Sequence, residues 1–243
     1  DFIGLLRHAE GEWAGKKFVL DPWQNAFVWK LFGWKRPDGT RRYRKAYLEI
    51  PRKNTKSALG AALTLKLLLA DDEPGAQIYG AAENRDQAGI IYRIAAAMVL
   101  SAPADIRRRC DVLPSTKTIA VPATNSFYRA IPADAPSAHG INAHGIVFDE
   151  LHTQPNRDLY DVLTTSQGAR RQPLTIMMTT AGFDEKSLCG QEHDYAKKVL
   201  SGVIQDDAYL AVIYAADPKD DFMDEKVWKK ANPAWDMMGP GVQ

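Results

Sequence analysis

Two stretches decide how this chain folds: Tyr47-Leu-Glu-Ile-Pro-Arg-Lys-Asn-Thr-Lys-Ser57 and, far downstream, Gly145-Ile-Val-Phe-Asp-Glu-Leu-His152. The first gives a strand, a tight loop, a Lys-Ser pair and a helix opening at Ala58-Leu-Gly-Ala-Ala. The second gives an apolar strand ending in two adjacent acids. A loop that runs into a helix N-terminus aims backbone N–H groups at an anion. The end of a buried strand is where open α/β sheets bind ligands. Together the two halves predict a nucleoside triphosphate site. Lys56 meets the terminal phosphates and Ser57 gives a hydroxyl to Mg²⁺, while Asp149 holds the metal's water shell and Glu150 polarises the attacking water.

Each half taken alone also has a plainer explanation. Lys-Ser before a helix fits an ordinary helix start with Ser57 or Asn54 as its cap. Acids are common at solvated strand ends. The usual phosphate loop carries glycine just before the lysine and again several residues earlier; here Thr55 and Ile50 stand there. The acid pair weighs for the nucleotide site because its strand is almost wholly apolar, and because a second strand, Thr175-Ile-Met-Met-Thr-Thr180, ends in paired hydroxyls.

Outward from these motifs, strands are expected at Lys45–Ile50, Gln77–Ala81, Gly145–Phe148, Leu174–Thr179 and Tyr209–Tyr214. Helices are expected at Ser57–Ala70, Arg85–Leu100, Asp158–Gln167 and Gln191–Leu200. Their alternation argues for a mainly parallel central sheet with helices on both faces. Thr118–Pro122 and Phe127–Ile131 flank a turn and predict a hairpin beside the sheet. Ahead of the first strand, Phe2 to Lys17 reads as helical and amphipathic, and Pro22 to Phe32 as a helix with proline in its first turn.

A chain of 243 residues fits one large α/β domain with a full core. The 31 basic and 30 acidic residues nearly cancel, so any nucleic-acid contact must come from local patches. Two distant cysteines, Cys110 and Cys189, form neither a disulfide framework nor a zinc pattern, which makes a reducing, intracellular setting the default. No apolar run is long enough for a membrane span. The chain opens on Asp1 and ends on Gly239-Pro-Gly-Val-Gln243, the expectation for a piece of a longer protein cut near a domain boundary.

Pro51-Arg-Lys-Asn-Thr-Lys-Ser57, Val147-Phe-Asp-Glu-Leu-His152, Gly168-Ala-Arg-Arg-Gln-Pro173 and Met178-Thr-Thr-Ala-Gly182 resemble, in order and spacing, the ATPase domain of the large terminase subunit of tailed double-stranded DNA phages. The likeness runs from about Gly11 to about Trp235. It implies a P-loop NTPase of the additional-strand catalytic-glutamate type. The motor domain would span 1–235, with 236–243 opening a linker toward a C-terminal nuclease domain, and no nuclease activity in this chain. It implies Mg²⁺-dependent ATP hydrolysis that drives viral DNA into a procapsid. The implied partners are double-stranded DNA, the portal protein, the small terminase subunit and further copies in a ring. The implied location is the host cytoplasm and, transiently, the portal vertex.

Position by position, the resemblance gives Lys56 and Ser57 the phosphate and magnesium roles within the loop Arg52, Lys53, Asn54, Thr55, Lys56, Ser57. Arg52 matches a loop arginine that acts in cis on the γ-phosphate. Asp149 and Glu150 match the metal-shell and catalytic acids. Thr179 and Thr180 match a coupling motif that senses the γ-phosphate, and Trp23 and Gln24 an adenine-reading pair. Two departures stand out. Thr55 replaces a frequent glycine, and positive φ is costly for a β-branched residue. Where several relatives carry an Arg-Gly trans finger, counting back from Glu150 reaches His139-Gly140; Arg129 and Arg107 to Arg109 are the other basic candidates.

Arg41-Arg-Tyr-Arg-Lys45 and Arg107-Arg-Arg109 are basic clusters that fit either DNA phosphates or a solvated surface. Arg170 and Arg171 fit a helix C-terminus. His139, His144 and His152 with Asp149 have no known zinc spacing. Three rivals remain at this level: a helicase-like ATPase, a non-hydrolysing nucleotide-binding module with a degenerate loop, and a metal-dependent nuclease built on Asp149, Glu150 and His152.

Overall fold

A computed structural model describes residues 2–133, 140–182 and 184–237. The elements follow in the order α1 (Pro22–Gly33), β1 (Lys45–Glu49), α2 (Lys56–Leu69), β2 (Gln77–Ala82), α3 (Arg85–Ser101) and α4 (Ala104–Arg107). Next come β3 (Asp111–Leu113), β4 (Thr118–Val121), β5 (Ser126–Pro132), β6 (Ala143–Phe148) and α5 (Asp158–Thr165). The last are β7 (Leu174–Thr179), α6 (Leu188–Leu200), β8 (Tyr209–Ile213) and α7 (Glu225–Ala231).

Among the described residues the strands form one sheet in the order β3-β4-β5-β2-β6-β7-β1-β8. From β5 to β8 every pairing is parallel; β3 and β4 join antiparallel. The expected β4–β5 hairpin is therefore present, and β3 lengthens it. β7 lies between the strand of the phosphate loop, β1, and the strand of the acid pair, β6. This inserted strand defines the additional-strand arrangement.

Central parallel strands must be covered on both faces, and side chains alternate across them. Ala46, Leu48, Val147, Ile176 and Met178 join one core with α1, α2 and α3 residues such as Phe27, Leu63 and Ile91. Tyr47, Ile146, Phe148 and Met177 join the opposite core with Leu159, Leu163 and Leu188 of α5 and α6. Helix α2 rides close to the sheet because residue 60 is glycine: a Cβ there would lie 2.4 Å from Met178 Cε and 3.0 Å from Ile91 Cδ1.

Three expectations for elements need correction. Phe2 to Lys17 is not an amphipathic helix. It holds short 3-10 turns at Ile3–Leu5 and Gly11–Trp13 and an antiparallel bridge between Arg7 and Lys17. Gly11 and Gly15 adopt φ of 69° and 79°, which turn the chain back on itself. The helix expected at Gln191 starts at Leu188, capped by Ser187, whose side chain accepts from the Gly190 N–H. The helix expected over Asp158–Gln167 ends at Thr165 and passes into a 3-10 turn at Ser166–Ala169. The short helix α7 carried no expectation. Of the linker expected at 236–243, residues 238–243 lie outside the described residues, as does His139.

The first basic cluster is largely structural. Arg41 is fully buried at the edge of the sheet opposite the acid pair. Its guanidinium pairs with Asp71, donates to Gln172 O at 2.9 Å and lies over the Phe32 ring. His144 Nε2 meets the same Asp71 carboxylate at 2.7 Å. Arg170 donates to Glu73, Gly75 O and Asn142 O, pinning neighbouring loops rather than capping a helix. Burial alone would raise the Asp71 pKa, but His144 and Arg41 outweigh it and hold it at about 2. Its stabilising contribution is thus present above its ordinary value near 3.8 and is lost as pH falls toward 2. Asp71→Asn orphans a buried guanidinium and is expected to cost about 3–5 kcal/mol at pH 7, measured by urea unfolding. The deficit should shrink on acidification toward pH 2.

Candidate nucleotide site

Parallel pairing brings the ends of β1, β7 and β6 to one edge, and the loop after β1 meets the acids after β6 there. Lys56 opens α2 and is 6% exposed; its Nζ lies 2.9 Å from Glu150 Oε1. Ser57 Oγ donates to Asp149 Oδ2 at 3.1 Å. The two halves read from sequence are thus in direct contact. The first turn of α2 holds no acid, so its free N–H groups and the helix dipole favour an anion.

Two cavities flank this junction. One, about 230 Å³, is lined by Pro51, Arg52, Lys53, Thr55, Lys56, Ser57, Ala58 and Glu150. The other, about 270 Å³, is lined by Arg52, Ala82, Gln87, Ile90, Asp149, Glu150, His152 and Thr153. Arg52 borders both, where a cis arginine would need to be. A larger cavity, about 640 Å³, lies on the other side of β1, where four acids, Glu49, Asp184, Glu185 and Asp194, outnumber the basic side chains Lys197 and His193 in its lining. Its carboxylates would repel a triphosphate, so size does not decide the site.

The loop is built without glycine. Lys53 and Thr55 both adopt left-handed backbone, φ 69° and 54°. Such positions cost a non-glycine residue about 1–3 kcal/mol and persist only when their surroundings impose them. Gln24 supplies one such contact. Its Oε1 accepts from the Asp21 N–H at 3.0 Å in a capping box, and its Nε2 donates to Thr55 Oγ1 at 2.7 Å. With both ends of its amide engaged, Gln24 holds the loop in this conformation. Trp23 is buried edge-on against Tyr214, ring centroids 5.8 Å apart. Neither Trp23 nor Gln24 lines the two cavities, and the fully buried Asn54 does not either.

Thr179 and Thr180 meet the site through His152. The His152 N–H donates to Thr179 Oγ1 at 3.2 Å, and Nδ1 lies 3.1 Å from Thr179 Oγ1 and 3.4 Å from Thr180 Oγ1. The same Nδ1 is 3.3 Å from Glu150 Oε2. Burial lowers the His152 pKa, so the ring is neutral at pH 7. His152 therefore bridges Glu150 and the end of β7, a position the sequence did not assign; its place two residues after Glu150 was the available signal. His144, by contrast, sits on Asp71 at the other edge. Among the described residues no group of three or more His, Cys, Asp and Glu side chains could hold a metal by themselves. Arg129 is exposed on β5, over the Phe127 ring, and Arg107 to Arg109 are exposed at the C-terminal end of α4.

Asp149 is 6% exposed, and its Oδ1 has no hydrogen-bond partner among the described residues. Burial and the neighbouring Glu150 raise its pKa to about 6. A buried, partnerless carboxylate oxygen beside a hydroxyl is a donor set of hard oxygens, which fits Mg²⁺. Between pH 3.8 and 6 the folded chain binds more protons here than the unfolded one, so this group's contribution to stability falls as pH rises through that window. Asp149→Asn, which mimics the protonated acid, is expected to stabilise the nucleotide-free chain by about 2–3 kcal/mol above pH 7. The gain should shrink as pH falls from 6 and vanish below 3.8, as read by denaturant unfolding across pH.

Residues 22–198 match the family model for the terminase large subunit, ATPase domain. The terminase large subunit of Enterobacteria phage HK97 is 31% identical over 229 residues, covering 93% of this chain and 43% of that protein. Protein YmfN of Escherichia coli K12 is 37% identical over 94 residues, 39% of this chain and 21% of YmfN. The crystal structure of the HK97 large terminase superimposes with a TM-score of 0.81 at 27% identity, over 96% of this chain and 46% of that one. The large terminase of a thermophilic bacteriophage shares the fold, with a TM-score of 0.53 at 13% identity over 87% of this chain and 50% of that one. The chain thus spans less than half the length of its HK97 counterpart. With matches covering most of its residues, this chain belongs to the terminase large subunit family, in the ATPase domain.

Proposed function

We propose that this chain hydrolyses ATP with Mg²⁺ and that, within its parent protein, hydrolysis drives double-stranded DNA into a procapsid. The observation that carries the enzymatic part is the 2.9 Å contact between Lys56 and Glu150, with Ser57 on Asp149 beside it. Without nucleotide, the lysine that should neutralise phosphates is neutralised by the acid that should activate water. Arrival of a triphosphate offers Lys56 a stronger anionic partner at the α2 N-terminus. Glu150 is then released from its ion pair to polarise a water in the neighbouring cavity. Arg52 borders both cavities and adds charge where the transferring phosphoryl group develops it. Ser57 and Asp149 would hold Mg²⁺, which when bound neutralises charge on the phosphates. Neutral His152 ties the position of Glu150 to Thr179 and Thr180, so the coupling strand feels whether Glu150 is engaged.

The motor unit is proposed to comprise residues 1–235, with 236–243 opening the linker to a nuclease domain and no nuclease activity in the present residues. Family membership supports DNA, the portal protein, the small terminase subunit and further copies in a ring as partners, working in the host cytoplasm and at the portal vertex. No helix among the described residues is long and apolar enough to cross a membrane.

Glu150→Ala is expected to lower ATP turnover by about 100- to 10,000-fold, the usual share of a general base. Because it also frees Lys56, ATP should bind as tightly as to the wild type or tighter. Lys56→Ala should instead weaken binding itself. Phosphate release and calorimetric titration separate the two. Wild-type turnover in the Glu150 variant would refute the assignment of the base.

A further inference from the structure

Asn54 sits between Lys53 and Thr55, the two left-handed residues of the phosphate loop. Its amide is fully used. Nδ2 donates to Pro51 O at 3.1 Å, to Arg52 O at 3.2 Å and to Asn232 Oδ1 at 3.0 Å, while Oδ1 accepts from the Ala234 N–H at 3.1 Å. Asn232 is fixed in turn, since its Nδ2 donates to Trp228 O at 3.0 Å and its backbone N–H to the same oxygen at 2.9 Å. A segment some 180 residues downstream therefore reaches back into the loop.

A glycine-rich phosphate loop visits left-handed backbone at little cost. Here threonine and lysine occupy those positions, so the shape must be imposed from outside. Gln24 does this at Thr55 from the side of α1. The turn after α7 does it at Asn54. We propose that Asn54 and Asn232 are positioning residues for the nucleotide: the turn after α7 clamps the phosphate loop in its binding shape. ATP affinity is then set in part by residues that line neither cavity of the site. The inference rests on the ATP site proposed above and adds a determinant to it.

The test compares wild type, Asn232→Ala, Thr55→Gly and the double variant, with the nonhydrolysable analogue AMP-PNP and Mg²⁺ as the calorimetric probe. Asn232 is half-buried in a turn at the end of a short helix, so its truncation leaves the sheet and both cores intact. Asn232→Ala should weaken binding about tenfold, the loss of one buried hydrogen bond. Glycine at 55 populates left-handed backbone without a clamp, so in the Thr55→Gly background the same truncation should cost less than about threefold. A residue that merely docks α7 would give the same factor in both backgrounds; that result, or no effect at all, overturns the clamp. Amide hydrogen exchange without nucleotide gives an independent reading. Residues 53–56 should exchange faster in Asn232→Ala, and unchanged exchange refutes the proposal. If wild type binds no AMP-PNP, the ATP assignment fails, and exchange still decides whether the clamp exists.

Discussion

Parallel pairing of β1, β7 and β6 is the constraint from which the rest of this site follows. Parallel strands deliver all their C-terminal ends to one edge. Leu48 pairs with Met178 of β7, and Phe148 of β6 pairs with Met177 of the same strand. The loop that carries Lys56, the hydroxyls of Thr179 and Thr180 and the acid pair therefore emerge side by side, although they are far apart in sequence. Inserting β7 between the other two also gives His152 its place, within reach of Thr179 and of Glu150 at once.

At this edge the chain tolerates arrangements that fold stability alone would not select. Asp149 is buried beside another acid, with one oxygen lacking a partner among the described residues. Glu150 takes left-handed backbone, φ 52°, as do Lys53 and Thr55. Local strain of this kind survives only where surrounding structure over-determines it. The surroundings are visible: Gln24 holds Thr55, and Asn232 and Ala234 hold Asn54. Lys56 stabilises the acids in the absence of nucleotide, and the same charge is what a triphosphate would compete for. The unsatisfied carboxylate and the exchangeable ion pair are the features that the proposed metal–phosphate ligand would use.

The opposite edge shows polar burial used for architecture. Arg41, Asp71, His144 and Arg170 are buried or nearly so, and each is hydrogen-bonded to a group of opposite character. The two edges differ in chemistry: Arg41, Asp71, His144 and Arg170 each find a partner of opposite character where the fold is tied together, although Arg41 Nε and His144 Nδ1 have no hydrogen-bond partner among the described residues, and at the other edge a carboxylate oxygen of Asp149 is left open. This pairing also explains why the Arg41 cluster, basic in sequence, does not offer its first arginine to a nucleic acid.

The alternation of strands and helices, the apolar run into Asp149-Glu150 and the Lys56-Ser57 helix start were legible because each is written in a local pattern of period, charge and hydroxyl. They determined the fold class and most of the candidate catalytic set. Three things were not legible. Phe2 to Lys17 has helical periodicity, but left-handed glycines and a bridge between Arg7 and Lys17 override it. Gln24 and Asn54 are expected at the nucleotide, but the partners of their amides were hidden: Gln24 bonds Asp21 and Thr55, and Asn54 bonds Asn232 and Ala234. For His152 the sequence offers only a zinc spacing that does not fit and a place in a rival nuclease set, and β7 puts Thr179 against it. Residue type and spacing determine what a side chain can bond, and the sequence by itself settled that much. Which partner it bonds depends on what the sheet order and the turn after α7 bring within hydrogen-bonding reach, and only the tertiary structure decided that.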